Sequence, residues 1–184
     1  MLVRVASEDD VDALARLYRN EAVFHERLDG GFTLRQGFDW TAAIRSLLSH
    51  PARMMLVAEV DDRLVGFVHA RIAGIPAAEQ RRVPVSRRVV NLIRRRAPKT
   101  GIAGPAGAAV RRPIGVIEDC YVDPSARRCG CGRALVDEAL SWFSGRGIGH
   151  VELDVLVANE EACRFWTALG FGATRIRMRR ALER

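Results

Sequence analysis

A chain of 184 residues with 48% hydrophobic content can bury a sizeable core and is too short for two full domains. It holds no apolar run near the roughly 20 residues of a membrane span, and its opening MLVRVASEDD turns acidic too early for a signal or transit peptide. The formal charge of +7 is uneven: residues 74–113 carry nine Arg and Lys99 against Glu79 alone, a net of +9, while the rest of the chain sums to −2. The expectation is one soluble, cytoplasmic domain over residues 1–184, interrupted by an Arg-rich insertion at about 74–113.

MLVRVA reads as a first strand. Ser7 and Asp10 then form a capping-box pattern before a helix in which Val11, Leu14, Tyr18 and Ala22 share one face. Asp29-Gly30-Gly31 breaks that helix, and a second helix is expected over Trp40–Leu48. RMMLVAEV and RLVGFVHARI flank Asp61-Asp62 as a β-hairpin. The insertion follows, with a short helix expected over Ser86–Arg96 between Gly- and Pro-rich flanks. GVIEDCYV is a strand. A Gly-rich turn leads from it into a helix whose Leu135, Val136, Ala139, Leu140 and Phe143 face a core, and GRGIG ends that helix. HVELDVLV is a strand, ANEEACRFWTAL a helix, and ATRIRMRRAL a last strand. The alternation in the second half predicts an α/β sheet with helices on its faces.

The turn RRCGCGRAL admits several readings. A dinucleotide-binding turn wants a third Gly where Leu135 stands, and a Walker A loop wants Gly-Lys-Ser/Thr, which is missing. A plain strand-to-helix turn with solvated Arg remains open. The physical chemistry favours an anion. The first amides of a helix beginning near Cys131 have no intrahelical partner, and Gly130 and Gly132 let a ligand approach the backbone. Arg127, Arg128 and Arg133 add positive charge. The four cysteines, Cys120, Cys129, Cys131 and Cys163, fit neither a disulfide framework nor a paired C-x-x-C zinc site, so reduced thiols and no metal are expected.

Arg127-x-x-Gly130-x-Gly132 after IEDCYVDP, followed by Asn159-x-x-Ala162-x-x-Phe165-x-x-x-Leu169-Gly170-Phe171, resembles the GCN5-related N-acetyltransferase family. The resemblance is strongest over residues 114–172. It implies a mixed, mostly antiparallel central sheet flanked by helices, with a splayed pair of parallel strands that binds acetyl-CoA. It further implies that the amides of Arg128, Cys129, Gly130, Cys131, Gly132 and Arg133 take the CoA pyrophosphate, with Arg127 at the rim. Cys120, Tyr121 and Val122 would pair with the pantetheine arm, and one of their amides would polarise the thioester carbonyl. Asn159 would contact the arm, with Ala162 and Phe165 packing near it.

Acyl transfer to an amine needs a held carbonyl, an amide donor for the developing oxyanion and a neutral nucleophile. An alkyl amine with a pKa near 10 is neutral at about one part in a thousand at pH 7, a deficit of about 4 kcal/mol. Glu118 is the expected general base, because IEDCYV resembles the polyamine-acetyltransferase form of this strand. Strict alternation would put Asp119, the second candidate, on the opposite face. The family commonly has Tyr where this chain has Trp166, and indole cannot supply a proton, so Tyr121 becomes a candidate acid beside water. Glu21, His25 and Glu26 near the end of the first helix would wall a cationic amine acceptor if the region resembles the family's acceptor wall, and a solvated helix face explains the acidic residues as well. His69, on the hairpin, is expected to be a surface or packing residue.

The resemblance implies acetyl-CoA and an amine as partners, with a homodimer as a mild expectation. No aromatic residue interleaves with the Arg of the insertion, so base stacking on nucleic acid is not suggested and the segment is expected to be a solvated loop. A second reading stays open: a catalytically weak acyl-CoA-binding module whose Arg-rich arm contacts nucleic acid or a protein partner.

Overall fold

A computed structural model describes residues 1–29, 33–74, 112–176 and 178–180. The helix expected over Ser86–Arg96, with most of the Arg-rich insertion, lies outside the described residues. The elements are β1 (Leu2–Val5), a 3-10 turn (Glu8–Asp10), α1 (Val11–Leu28), α2 (Trp40–Leu48), β2 (Arg53–Val60), β3 (Arg63–Ala73), β4 (Ile114–Val122), a 3-10 turn (Pro124–Ala126), α3 (Cys131–Gly145), β5 (Val151–Leu153) and α4 (Glu160–Ala168). The sheet runs β1-β2-β3-β4-β5. Its first three pairings are antiparallel and β4–β5 is parallel. This is the mixed, mostly antiparallel α/β architecture expected from the sequence.

Local chemistry explains most boundaries. The Asp10 carboxylate accepts from the Ser7 N–H at 2.7 Å, and both Arg4 Nη atoms donate to it at 2.7 and 2.9 Å, so the entry to α1 is tied to β1. Asp39 caps α2 by accepting from the Ala42 N–H. Asp61 and Asp62 both sit at positive φ, 50° and 57°, the two-residue turn whose twist matches a hairpin.

The chain divides into two compact units, Met1–Asp154 and Val155–Arg184. In the first, Val11, Leu14, Leu17 and Tyr18 of α1 and Ile44 of α2 pack with Met55, Val57, Phe67 and Tyr121 on one face of the sheet. Tyr18 stacks on Phe67 with ring centroids 4.1 Å apart. The other face carries α3. A Cβ built at Gly115 would lie 2.7 Å from the Phe143 ring, so glycine there is what lets α3 lie close on β4.

In the second unit, Asn159 caps α4 by accepting from the Ala162 N–H at 3.1 Å. Trp166 meets Phe165 and Phe171 edge-on. Two expectations are corrected. The strand expected over 150–157 is ordered as strand only over Val151–Leu153. The last strand expected over 173–182 is not formed among the described residues, where Ile176 and Met178 stand 87% and 90% exposed. Alternating Arg and apolar residues make a strand only where a ladder partner covers the apolar side. No described helix is long and apolar enough to cross a membrane.

Candidate active site

The site begins with an irregularity in β4. His69 pairs with Asp119 and Ala70 with Ile117, which leaves Glu118 as the extra residue of a bulge. The bulge breaks the period-2 rule, so Asp119 does not turn away from Glu118 as alternation predicts. Both carboxylates reach His69, at 3.1 Å for Asp119 and 3.6 Å for Glu118.

The two carboxylates are held differently. Glu118 accepts from Arg53 through Oε2 at 2.6 Å and from Arg71 through Oε1, so both its oxygens are engaged. Among the described residues Asp119 accepts through Oδ2 alone, from the Tyr18 hydroxyl at 3.3 Å and from His69 Nδ1 at 3.1 Å. Arg53 Nη1 lies 3.0 Å from His69 Nε2. A guanidinium can only donate, so Nε2 accepts, and the imidazole carries its proton on Nδ1, facing Asp119. The ring is 2% exposed. Arg53, Arg71 and Glu118 also line a cleft of about 310 Å³ with His50, Ala52 and Ile72.

Glu21 is buried at 6% exposure, and not on a solvated helix face. Its carboxyl faces Asp119 and the Cys120 backbone N–H. Burial first, and Asp119 second, push it up to about 8, while the amide opposes the rise. Desolvation, with Glu21 and Asp119 nearby, likewise pushes the Cys120 thiol up to about 12. Tyr121 is a core residue whose hydroxyl is pushed up by burial and by Asp123. Glu26 accepts from the Leu34 N–H at 3.1 Å and so ties down the segment after α1. His25 lies beside Phe24 on the same turn of α1.

Next to this cluster β4 has a free edge. Its pairing with β5 stops at Ile117–Leu153, and β4 runs on for Glu118–Val122 with no strand partner on that side among the described residues. The Asp123 N–H donates to Val65 O on the β3 side. Successive amides of a strand alternate, so the Cys120 and Val122 N–H groups point away from β3, the Cys120 N–H to the Glu21 carboxyl and the Val122 N–H to the open edge.

The Gly-rich turn follows. Arg127 Nε donates to Val122 O at 3.1 Å, and its guanidinium lies 5.8 Å from the Phe24 ring centroid of α1. Arg128 and Gly130 take left-handed φ values of 66° and 88°. The first backbone bond of α3 is Ala134 N–H to Gly130 O, so the Cys131, Gly132 and Arg133 amides have no partner within the helix. A Cβ at Gly130 would meet nothing within 4 Å, which leaves the turn open to an approaching group.

One unit thus brings together Glu21, Glu118, Asp119, Cys120, Tyr121, Val122 and the turn Arg127–Arg133. Asn159, Ala162 and Phe165 share α4 in the other unit. Sequence reasoning missed Tyr18, Arg53 and Arg71 as site residues and took His69 for a surface or packing residue. The β3–β4 register sets His69 opposite Asp119, and no local pattern in the sequence signals that pairing.

The family model described as "Acetyltransferase (GNAT) family" matches residues 12–171. The chain is 30% identical over 115 residues to a mycothiol acetyltransferase of Acidothermus cellulolyticus. That alignment covers 62% of this chain but 28% of the relative, so the chain spans less than a third of that protein. A solved variant of a Bacillus halodurans protein superposes with a TM-score of 0.77 at 19% identity, covering all of both chains. An aminoglycoside N-acetyltransferase solved in complex with CoA superposes with a TM-score of 0.64 at 17% identity, covering 98% of this chain and 93% of the other.

Proposed function

The chain belongs to the acetyltransferase (GNAT) family, and on that premise we propose that it acts over residues 1–184 as one domain that transfers the acetyl group of acetyl-CoA to a primary amine. The observation that carries this reading is the free edge of β4, with the Val122 amide aimed into it, leading directly to a turn whose Cys131, Gly132 and Arg133 amides have no partner within α3. Such an edge accepts an extended chain of alternating amide donors and acceptors, and such a turn accepts a pyrophosphate. The residues fit the cosubstrate. Cys120, Tyr121 and Val122 would hold the pantetheine arm. The amides from Arg128 to Arg133, with Arg127, would hold the pyrophosphate. Asn159, Ala162 and Phe165 are assigned to the arm by the family resemblance. Bound acetyl-CoA supplies the activated thioester.

Asp119 receives the amine proton. What supports it over Glu118 is hydrogen bonding: Tyr18 and His69 fix Oδ2 of Asp119 and leave Oδ1 without a hydrogen bond among the described residues, whereas Arg53 and Arg71 engage both oxygens of Glu118. Glu118 then holds Arg71 and the Arg53 guanidinium that orients His69. Asp119, whose Oδ1 has no hydrogen bond among the described residues, favours a cationic acceptor. Trp166 donates no proton, so water protonates the departing thiolate.

Calorimetric titration with acetyl-CoA tests the reading, repeated with Gly130→Trp. Wild-type binding that is lost in the variant, followed by turnover of an amine from a panel of polyamines, aminoglycosides and peptides, is the expected result. Wild-type protein that does not bind acetyl-CoA would remove it.

A further inference from the structure

Two thiols stand in the turn without a part in the acetyl transfer. Cys129 Sγ and Cys131 Sγ are 3.2 Å apart, on either side of Gly130. Cys129 is exposed and Cys131 is 1% exposed. The Cys129 S–H donates to Ala126 O at 2.7 Å, so the bond between the sulfurs is donated by Cys131. One thiol can be reached from solvent, and the other waits behind it as a donor. That is the arrangement of an attacking and a resolving cysteine.

We propose that Cys129 and Cys131 form a thiol-modification site that exchanges with low-molecular-weight disulfides and closes to a Cys129–Cys131 disulfide, weakening the turn's hold on its anion. The effect on the anion rests on the acetyl-CoA reading; the thiol chemistry does not. In the first step the Cys129 thiol loses its proton and attacks one sulfur of R–S–S–R. A Cys129–S–S–R bond forms and RS⁻ leaves with the proton. In the second step the Cys131 thiol, deprotonated as it attacks, displaces the remaining RS⁻ from the Cys129 sulfur. Two cysteine thiols are oxidised by two electrons, one low-molecular-weight disulfide is reduced, and both protons end on two RSH.

The geometry supports both steps. Neighbouring Cys131 S–H, with backbone amides of the turn, holds the Cys129 thiol below its usual range and favours the attacking thiolate. Desolvation pushes Cys131 up to about 11, which keeps it protonated and inert until a sulfur is presented to it. Closure must bring the sulfurs to about 2.05 Å. The ring so formed contains the Gly130 peptide groups, and Gly130 already sits at a φ of 88° that glycine tolerates best. Drawing the two Cβ atoms together rotates the peptides on either side of Gly130 and takes their amides off a shared anion.

The test uses the full-length chain with oxidised glutathione as the probe. Trypsin, cutting after Arg128 and Arg133, releases a peptide that holds both cysteines and no others. The expected wild-type peptide is lighter than the dithiol by two hydrogens and carries no glutathione. Cys131→Ser should stop at a glutathione adduct on Cys129, and Cys129→Ser should form neither product. Acetyl-CoA should bind oxidised protein on the order of tenfold more weakly, with recovery under dithiothreitol. A wild-type peptide that stays a dithiol, or that keeps glutathione as Cys131→Ser does, overturns the proposal. So does a closed disulfide with unchanged acetyl-CoA affinity. If reduced protein fails to bind acetyl-CoA, the acetyltransferase reading falls, while the peptide mass still judges the thiol pair.

Discussion

His69 and Asp119 face each other across the β3–β4 ladder, Nδ1 to Oδ2 at 3.1 Å, at the residue pair where the bulge begins. Arg53 fixes the far side of the imidazole, and Tyr18 holds the same carboxylate oxygen from α1. Three side chains from three elements thereby orient one carboxylate whose second oxygen has no hydrogen bond among the described residues.

Asp119→Asn should lower kcat for amine acetylation by about 100-fold or more, the usual contribution of a positioned base, with acetyl-CoA affinity unchanged by calorimetry. Glu118→Gln should lose less, because its partners Arg53 and Arg71 keep water access at 26% and 36% exposure. Steady-state kinetics on the two variants decides between them. A larger loss in Glu118→Gln would move the base to Glu118.

Glu21 should make stability fall with rising pH. Its folded value is raised to about 8 from an ordinary 4.5. Below the ordinary value both folded and unfolded chains hold the proton, and the contribution is fully present. Between the two values only the folded chain holds it, so stability drops by up to about 1.4 kcal/mol per pH unit and levels off above the folded value. Urea unfolding across that window should show a steeper decline in wild type than in Glu21→Gln. Parallel pH profiles would remove Glu21 as the cause.

Asp10 should act in the opposite direction. The Arg4 hydrogen bonds hold its carboxyl below the usual 3.8 against the opposing effect of burial. Its contribution is present above the ordinary value and is lost as pH falls through the lowered one. Asp10→Asn should cost about 1–3 kcal/mol at neutral pH, and the gap to wild type should close in acid. A gap that persists unchanged in acid denaturation curves would argue for packing instead.

Gly115→Ala should destabilise by about 1–3 kcal/mol, the range for overpacking a filled site, because the new Cβ meets the Phe143 ring at 2.7 Å. Adding Phe143→Leu should recover part of the loss, since it withdraws the atoms that clash. Additive losses in thermal melts would contradict the contact.

Much of the architecture was legible locally. The hairpin bounds, α2 and the start of α3 follow from Asp61-Asp62, the apolar spacing over Trp40–Leu48 and the Gly-rich turn at residues 130–132. β5 and the chain end were read as too much strand. A strand is completed by its neighbour, and the apolar pattern over 155–157 and 173–182 says nothing of whether a ladder partner is there.

By itself the sequence determined the helices among the described residues and the first four strands, where glycine lets the chain turn left-handed, and that amides without helical partners stand beside Arg127, Arg128 and Arg133. These properties depend on residues a few positions apart, within reach of helical and strand periodicity and of glycine's backbone freedom. Only the tertiary structure decided that Asp119 shares a face with Glu118, that His69 is a buried partner in the site, and that Glu21 is shielded from water. A bulge arises from the mismatch of two paired strands, and burial from helices packing over them. Both join residues tens of positions apart, as His69 joins Asp119, and no local pattern carries that pairing.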